Sequence, residues 1–235
     1  MPAIAEGDAM WPRLTSILRG GFVLLVIGSG CITFAAAQAQ GQSQELDERL
    51  VILAIGESTT AGFGVATADS YPAQLQRLLD EHGYVWRVVN HGRSGSTTSM
   101  ALSGLDRGML LQPEIVLIAL GGNDQGKLAA ARTKENLRKL ITMFTRTGAL
   151  VVLAERNSAA DRANAAESSL YAQLAEEEGV LLMPSLREGV AGHPELLLAD
   201  DSHPNAAGYT LVAQRIFTIL QPYLNKIETE SSASP

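Results

Sequence analysis

A serine hydroxyl attacks well only when a neighbouring base takes its proton, and that base needs a third group to hold its ring. Ser58, His203 and Asp200 are residue types able to fill those three roles. Asp200 precedes His203 by three positions. That is close enough for a carboxylate to reach the far imidazole nitrogen within one loop, fixing the tautomer and stabilising the imidazolium. The tetrahedral intermediate of acyl transfer also needs donors for its oxyanion. The backbone N–H groups of Ser58 and Gly95 and the side-chain amide of Asn123 are candidates. Taken singly, each has an ordinary explanation. Ser58 could be a turn or cap residue, Gly95 a turn glycine, Asn123-Asp124 an Asx turn, and His203 a surface or capping histidine. The set gains weight only from the elements that carry it.

Those elements alternate. Leu50–Ile55 is an apolar, β-branched run that reads as a strand buried on both faces, and it opens at Gly56 into a polar turn carrying Ser58, Thr59 and Thr60. Leu75, Leu78 and Leu79 share a helical face, with Ser70 as N-cap and Pro72 in the first turn. A second strand, Trp86–Asn90, runs into the turn from His91 to Thr98, and a helix is expected from about Met100 to Leu111. Ile115–Leu120 is the third strand and ends in Gly121-Gly122-Asn123-Asp124. Leu137, Leu140, Ile141 and Phe144 mark the next helix, and Leu150–Leu153 the fourth strand. Asn157–Asn164 reads as irregular, followed by a helix near Ala165–Glu178 and a short strand Val180–Met183. Asn205 caps a terminal helix that turns Val212, Ile216, Ile219 and Leu220 inward. Strands alternating with amphipathic helices predict an α/β domain with a mostly parallel, roughly five-stranded sheet covered on both faces. Right-handed crossovers would bring the strand-end turns to one edge, so that Ser58, Gly95 and Asn123 converge.

Composition narrows the partners. The chain has 235 residues, a net charge of −7 and 18% charged residues, with no basic footprint for nucleic acid or an anionic membrane surface. One Cys and four His offer no zinc-type spacing, so no metal is expected. The G-x-S-x-G elbow is absent, because Gly56-Glu57-Ser58 continues as Thr59-Thr60. Neither glycine-rich nucleotide signature occurs at these turns, and no cofactor is expected.

Four stretches carry a resemblance: AIGESTTAGFG, VVNHGRSGSTT, IALGGND and ADDSHPNAAGY, the last led by EGVAGHPELLLADD. In this order and spacing they resemble the SGNH, or GDSL-type, hydrolases, most closely the exported arylesterase and thioesterase I/lysophospholipase-like branch. The resemblance spans nearly all of Val51–Leu220. It implies a flavodoxin-like three-layer α/β/α sandwich, Ser58 as nucleophile, and Asp200 with His203 completing the triad. It also implies an oxyanion hole of Ser58, Gly95 and Asn123. The implied activity is cofactor-free hydrolysis of small acyl or aryl esters, with thioesters and lysophospholipids as related substrates. A polysaccharide O-acetylesterase of the same fold, or a non-catalytic envelope binding protein, are the alternatives. Some residues depart from the family pattern. Glu57 stands where Asp is usual before the serine, Ser96 replaces an Asp, and His91 stands where a small residue is common. Glu155-Arg156-Asn157 is more polar than the loop common in that branch. His91 is expected to be structural or solvent-exposed, and His82 and His193 to lie at the surface or at helix ends.

The expected organisation is an N-terminal segment (1–39), a polar linker (40–48), the hydrolase domain (49–224) and a disordered tail (225–235). Arg13 and Arg19 precede an apolar run from Phe22 to Ala37, and Ala37-Gln38-Ala39 fits a small-x-small cleavage site. Cleavage after Ala39 would leave a mature chain without cysteine in the periplasm or outside the cell. An uncleaved anchor, or lipid attachment at Cys31, would be the only membrane link. Mass spectrometry of the exported protein should find Gln40 at its N-terminus; a start at Met1 would refute export by this segment.

Overall fold

The computed structural model describes residues 49–158 and 169–232. The expected signal segment and linker lie outside these residues, as does the first part of the helix expected at Ala165. Five strands, Leu50–Gly56 (β1), Trp86–Gly92 (β2), Ile115–Ala119 (β3), Leu150–Ala154 (β4) and Leu181–Met183 (β5), form one sheet in the order β2-β1-β3-β4-β5. Every neighbouring pair is parallel.

A parallel sheet needs cover on both faces, and β1 shows why its sequence is an unbroken apolar run. Ile52 and Ala54 point into one core with Tyr71, Leu75 and Leu79 of helix α2 (Tyr71–Glu81) and with Tyr209, Val212, Ile216 and Leu220 of the terminal helix. Leu53 and Ile55 point into the opposite core with Leu137, Leu140, Ile141 and Phe144 of the helix Ala130–Thr145, and with Leu174 of the helix Leu170–Glu178. Full burial of each such side chain contributes about 1.5–3 kcal/mol. The result is a three-layer α/β/α sandwich. The chain leaves β1 toward β2 and then returns past it to β3, so the strand order reverses between β1 and β3. The carboxyl ends of the strands on either side of that reversal form the crevice where open α/β sheets place ligands.

Between β1 and α2 lies a one-turn helix, α1 (Ser58–Ala61). Between β2 and β3 the single helix expected over 100–111 is instead two short ones, α3 (Thr98–Ser103) and α4 (Asp106–Met109). They part at Gly104, which ends α3 without side-chain cover. The remaining helices are α5 (Ala130–Thr145), α6 (Leu170–Glu178) and α7 (Ala206–Ser232). Ser70 flanks α2 without capping it, because its hydroxyl donates to the Thr67 carbonyl at 2.7 Å. The expected disordered tail is corrected too. α7 continues beyond 224 to Ser232, since Leu224 is fully buried, Ile227 packs on the same core and Glu228 accepts the Val85 N–H at 3.0 Å.

The end of β2 approaches α1 without room for a side chain. A methyl carbon at Gly92 would lie 2.3 Å from the Ala61 nitrogen and 2.5 Å from the Thr60 carbonyl carbon. Gly92→Ala must therefore displace the helix that begins with Ser58. Expected outcomes are a loss of about 1–3 kcal/mol in denaturant unfolding and a fall in kcat on any substrate the wild type turns over.

Candidate active site

Ser58 follows β1 directly and is the first residue of α1. The turn is held from within: the Ala61 N–H donates to the Glu57 carbonyl at 2.9 Å and the Phe63 N–H to the Ser58 carbonyl at 3.0 Å. Gly62 ends the helix at φ +79°, a left-handed conformation that glycine adopts without strain.

The other end of the chain supplies the partner. Residues 197–204 fold back on themselves, with a bridge between Leu197 and Pro204 and a hydrogen bond from the Leu198 N–H to the His203 carbonyl at 2.8 Å. Asp201 takes a φ of +53° at the tip, which short polar side chains tolerate. Asp200 Oδ1 accepts the backbone N–H groups of Ser202 at 3.0 Å and His203 at 2.9 Å. Its Oδ2 lies 2.7 Å from His203 Nδ1, and His203 Nε2 lies 2.8 Å from Ser58 Oγ. Both ring bonds are made at once when the neutral imidazole carries its proton on Nδ1: Nδ1–H donates to Asp200 and the serine hydroxyl donates to Nε2. Asn205 anchors the loop to α7 by accepting the Gly208 N–H at 3.1 Å. The Phe63 ring lies against the imidazole, centroids 4.5 Å apart.

The turn after β3 brings a third group. Asn123 Nδ2 donates to Glu57 Oε2 and, at 3.1 Å, to the Ser96 carbonyl. Glu57 also accepts the backbone N–H groups of Gly122 at 2.8 Å and Asn123 at 3.0 Å. Burial pushes the Glu57 carboxyl above its ordinary range, against the opposing pull of those N–H groups and of Arg156. Beneath the turn, Asp124 is buried and accepts the Thr98 N–H at 2.8 Å, the Thr98 hydroxyl at 2.6 Å and the Thr133 hydroxyl at 2.8 Å. Asn136 completes this network by donating to Thr98 Oγ1 at 3.0 Å.

A cavity of about 400 Å³ opens over these groups and is lined by Glu57, Ser58, Asn123 and His203, together with Arg156 and Leu186. Ser58, His203, Asp200 and Asn123 therefore meet at one edge. Gly95 is exposed at φ +77° on the turn after β2, next to the Ser96 whose carbonyl holds Asn123. His91 is half-buried on β2 opposite Ile55 and borders a separate small cavity with Ala101 and Leu105. His82 is exposed and bonded to its own helix, and His193 is exposed beside Glu195. The bonds of Glu57, the buried Asp124 network and the Phe63 contact had no signal in the sequence beyond position near a strand end.

The sequence profile of the GDSL-like Lipase/Acylhydrolase family matches residues 54–211, from the middle of β1 into α7. The chain belongs to that family. This GDSL-type hydrolase is similar to Esterase TesA of Pseudomonas aeruginosa, 31% identical over 201 residues, covering 83% of this chain and 97% of the relative. It is likewise similar to Thioesterase 1/protease 1/lysophospholipase L1 of Escherichia coli K12, 30% identical and covering 87% of this chain and 92% of the relative. A crystal structure of TesA superposes with a TM-score of 0.67 over 73% of this chain and 98% of its own, at 31% identity. The psychrotrophic esterase EstA from Pseudoalteromonas, in a structure inhibited by monoethylphosphonate, gives 0.67 at 26% identity over 74% of this chain and 98% of its own.

In this hydrolase the two N–H groups and the imidazole around Asp200 favour its ionised form. The His203 N–H contributes most, and together they bring the carboxyl from an ordinary 3.8 to about 2. A depressed carboxylate pKa stabilises the fold above its ordinary value, and that contribution disappears as pH falls through the folded value. The 198–205 loop is therefore expected to keep its order from pH 7 down to about 4 and lose it toward pH 2. The carboxyl carbon resonance of Asp200 should titrate near 2. An ordinary midpoint there would contradict the hydrogen bonding described.

Proposed function

We propose that the protein is a serine esterase that works through an acyl-enzyme. The observation that carries this reading is the unbroken line from Ser58 Oγ through His203 to Asp200, with contacts of 2.8 and 2.7 Å. Ser58 Oγ attacks the ester carbonyl carbon while His203 Nε2 takes its proton. His203 then returns that proton to the leaving alkoxide, and the C–O bond of the ester breaks. Water, deprotonated by the same imidazole, attacks the acyl carbon and releases the acid and the Ser58 hydroxyl. Asp200 holds the ring in the tautomer that leaves Nε2 free to accept. The oxyanion is assigned to the Ser58 N–H, the Asn123 amide and the N–H of Gly95, whose neighbour Ser96 already contacts Asn123.

Small acyl and aryl esters are the proposed substrates, with thioesters and lysophospholipids next, in line with what the names of the similar proteins describe. The cavity is open and its wall carries Arg156, Asn157 and Gln125. That polar wall favours a second reading, removal of acetyl groups from an envelope polysaccharide. The Ser58–His203 contact weighs against a purely binding protein. Export to the periplasm or beyond is proposed from the N-terminal segment. Among the described residues no helix is long and apolar enough to cross a membrane.

Hydrolysis of p-nitrophenyl esters from acetate to decanoate tests the proposal. Ser58→Ala and His203→Ala should each lower kcat by about 10³-fold or more. Equal activity in wild type and Ser58→Ala would refute it. A profile confined to acetate, with acetate released from acetylated glycan, would select the second reading.

A further inference from the structure

Glu57 precedes Ser58 in the chain, yet its carboxylate is bonded to the turn of the neighbouring strand. Oε1 accepts the Gly122 N–H, and Oε2 accepts both the backbone and the side-chain N–H of Asn123. Space has been left for it, because a methyl carbon at Gly122 would lie 2.9 Å from Glu57 Oε1. A side-chain amide has two hydrogens. In Asn123 one is directed at the Glu57 carboxylate and the other at the Ser96 carbonyl. An oxyanion using this amide must therefore take over one of two existing bonds.

The two bonds are unequal. A hydrogen bond to an anion is roughly twice as strong as one to a neutral acceptor. The contact to the neutral Ser96 carbonyl is the one that gives way, and the bond to Glu57 remains as the pivot. Two further N–H groups on the same carboxylate keep that pivot in place. On the reading of Asn123 as an oxyanion donor, we propose that Glu57 is the positioning residue of that donor. It aims the Asn123 amide at the oxygen of the carbonyl attacked by Ser58 and ties the nucleophile's turn to the donor's turn across the reversal in strand order. Glu57 touches no reacting atom; it acts through Asn123.

A double-mutant cycle separates this from a merely structural role. With p-nitrophenyl butyrate, Asn123→Ala should lower kcat by about 10²-fold. Glu57→Gln replaces one accepting oxygen with a donor and should lower kcat by about 10-fold, with KM within about twofold of wild type. Once Asn123 is gone, Glu57→Gln should cost no more than about a further twofold. Independent losses that multiply, or wild-type kcat in Glu57→Gln, would overturn the inference. Undiminished turnover in Asn123→Ala would instead overturn the donor assignment beneath it. A second readout does not depend on activity or on the variant folding. In the wild type, one Asn123 side-chain amide proton should resonate well downfield of its geminal partner, and the usual small separation would overturn the inference.

Discussion

The 2.8 Å contact between Ser58 Oγ and His203 Nε2 joins residues 145 positions apart, and the rest of the site depends on it. Neither side chain is unusual where it stands. Ser58 begins a one-turn helix, and His203 sits on a tight loop before α7. A parallel sheet makes them neighbours, because every strand enters from the same end and every outgoing turn emerges at the other. α7 then packs on the face shared with α2, and its leading loop is delivered to that same edge. Removing the parallel arrangement would separate the serine from the imidazole without altering either residue.

Around that contact the polar groups are arranged in two layers. The outer layer is accessible: Ser58, His203 and Asp200 border or adjoin open space, with Asp200 held ionised by N–H groups rather than by burial. The inner layer is buried. Asp124 accepts three hydrogen bonds from Thr98 and Thr133, so the turn after β3 rests on a hydrogen-bonded carboxylate. Such a network is costly when broken, since an unpaired buried charge loses its hydration without compensation. Glu57 stands between the layers, half-buried and tied to both strand-end turns. Rigid support beneath an exposed reactive edge is what a reaction with charge developing on one oxygen requires.

The sequence alone determined the strands, the two-sided burial of the sheet and the edge at which Ser58 and Asn123 emerge. Periodicity and apolar runs report local burial, and right-handed crossovers leave little freedom in how such units stack. Asp200 and His203 were legible because three positions in a loop keep two side chains within reach. The site's finer arrangement was not. Glu57 read only as a departure from a usual Asp, and nothing in its neighbours indicated that its carboxylate would reach Gly122 and Asn123. Gly95 read as an oxyanion donor from its place in a strand-end turn, and only the fold brought the carbonyl of the adjacent Ser96 to the Asn123 amide. The helix expected over 100–111 parts at Gly104, and the polar stretch after 224 is helical because Leu224, Ile227 and Glu228 find partners on other elements. Contacts between segments far apart in the chain leave no periodic mark on either one, so tertiary structure alone decided which turn Glu57 braces and where α7 ends.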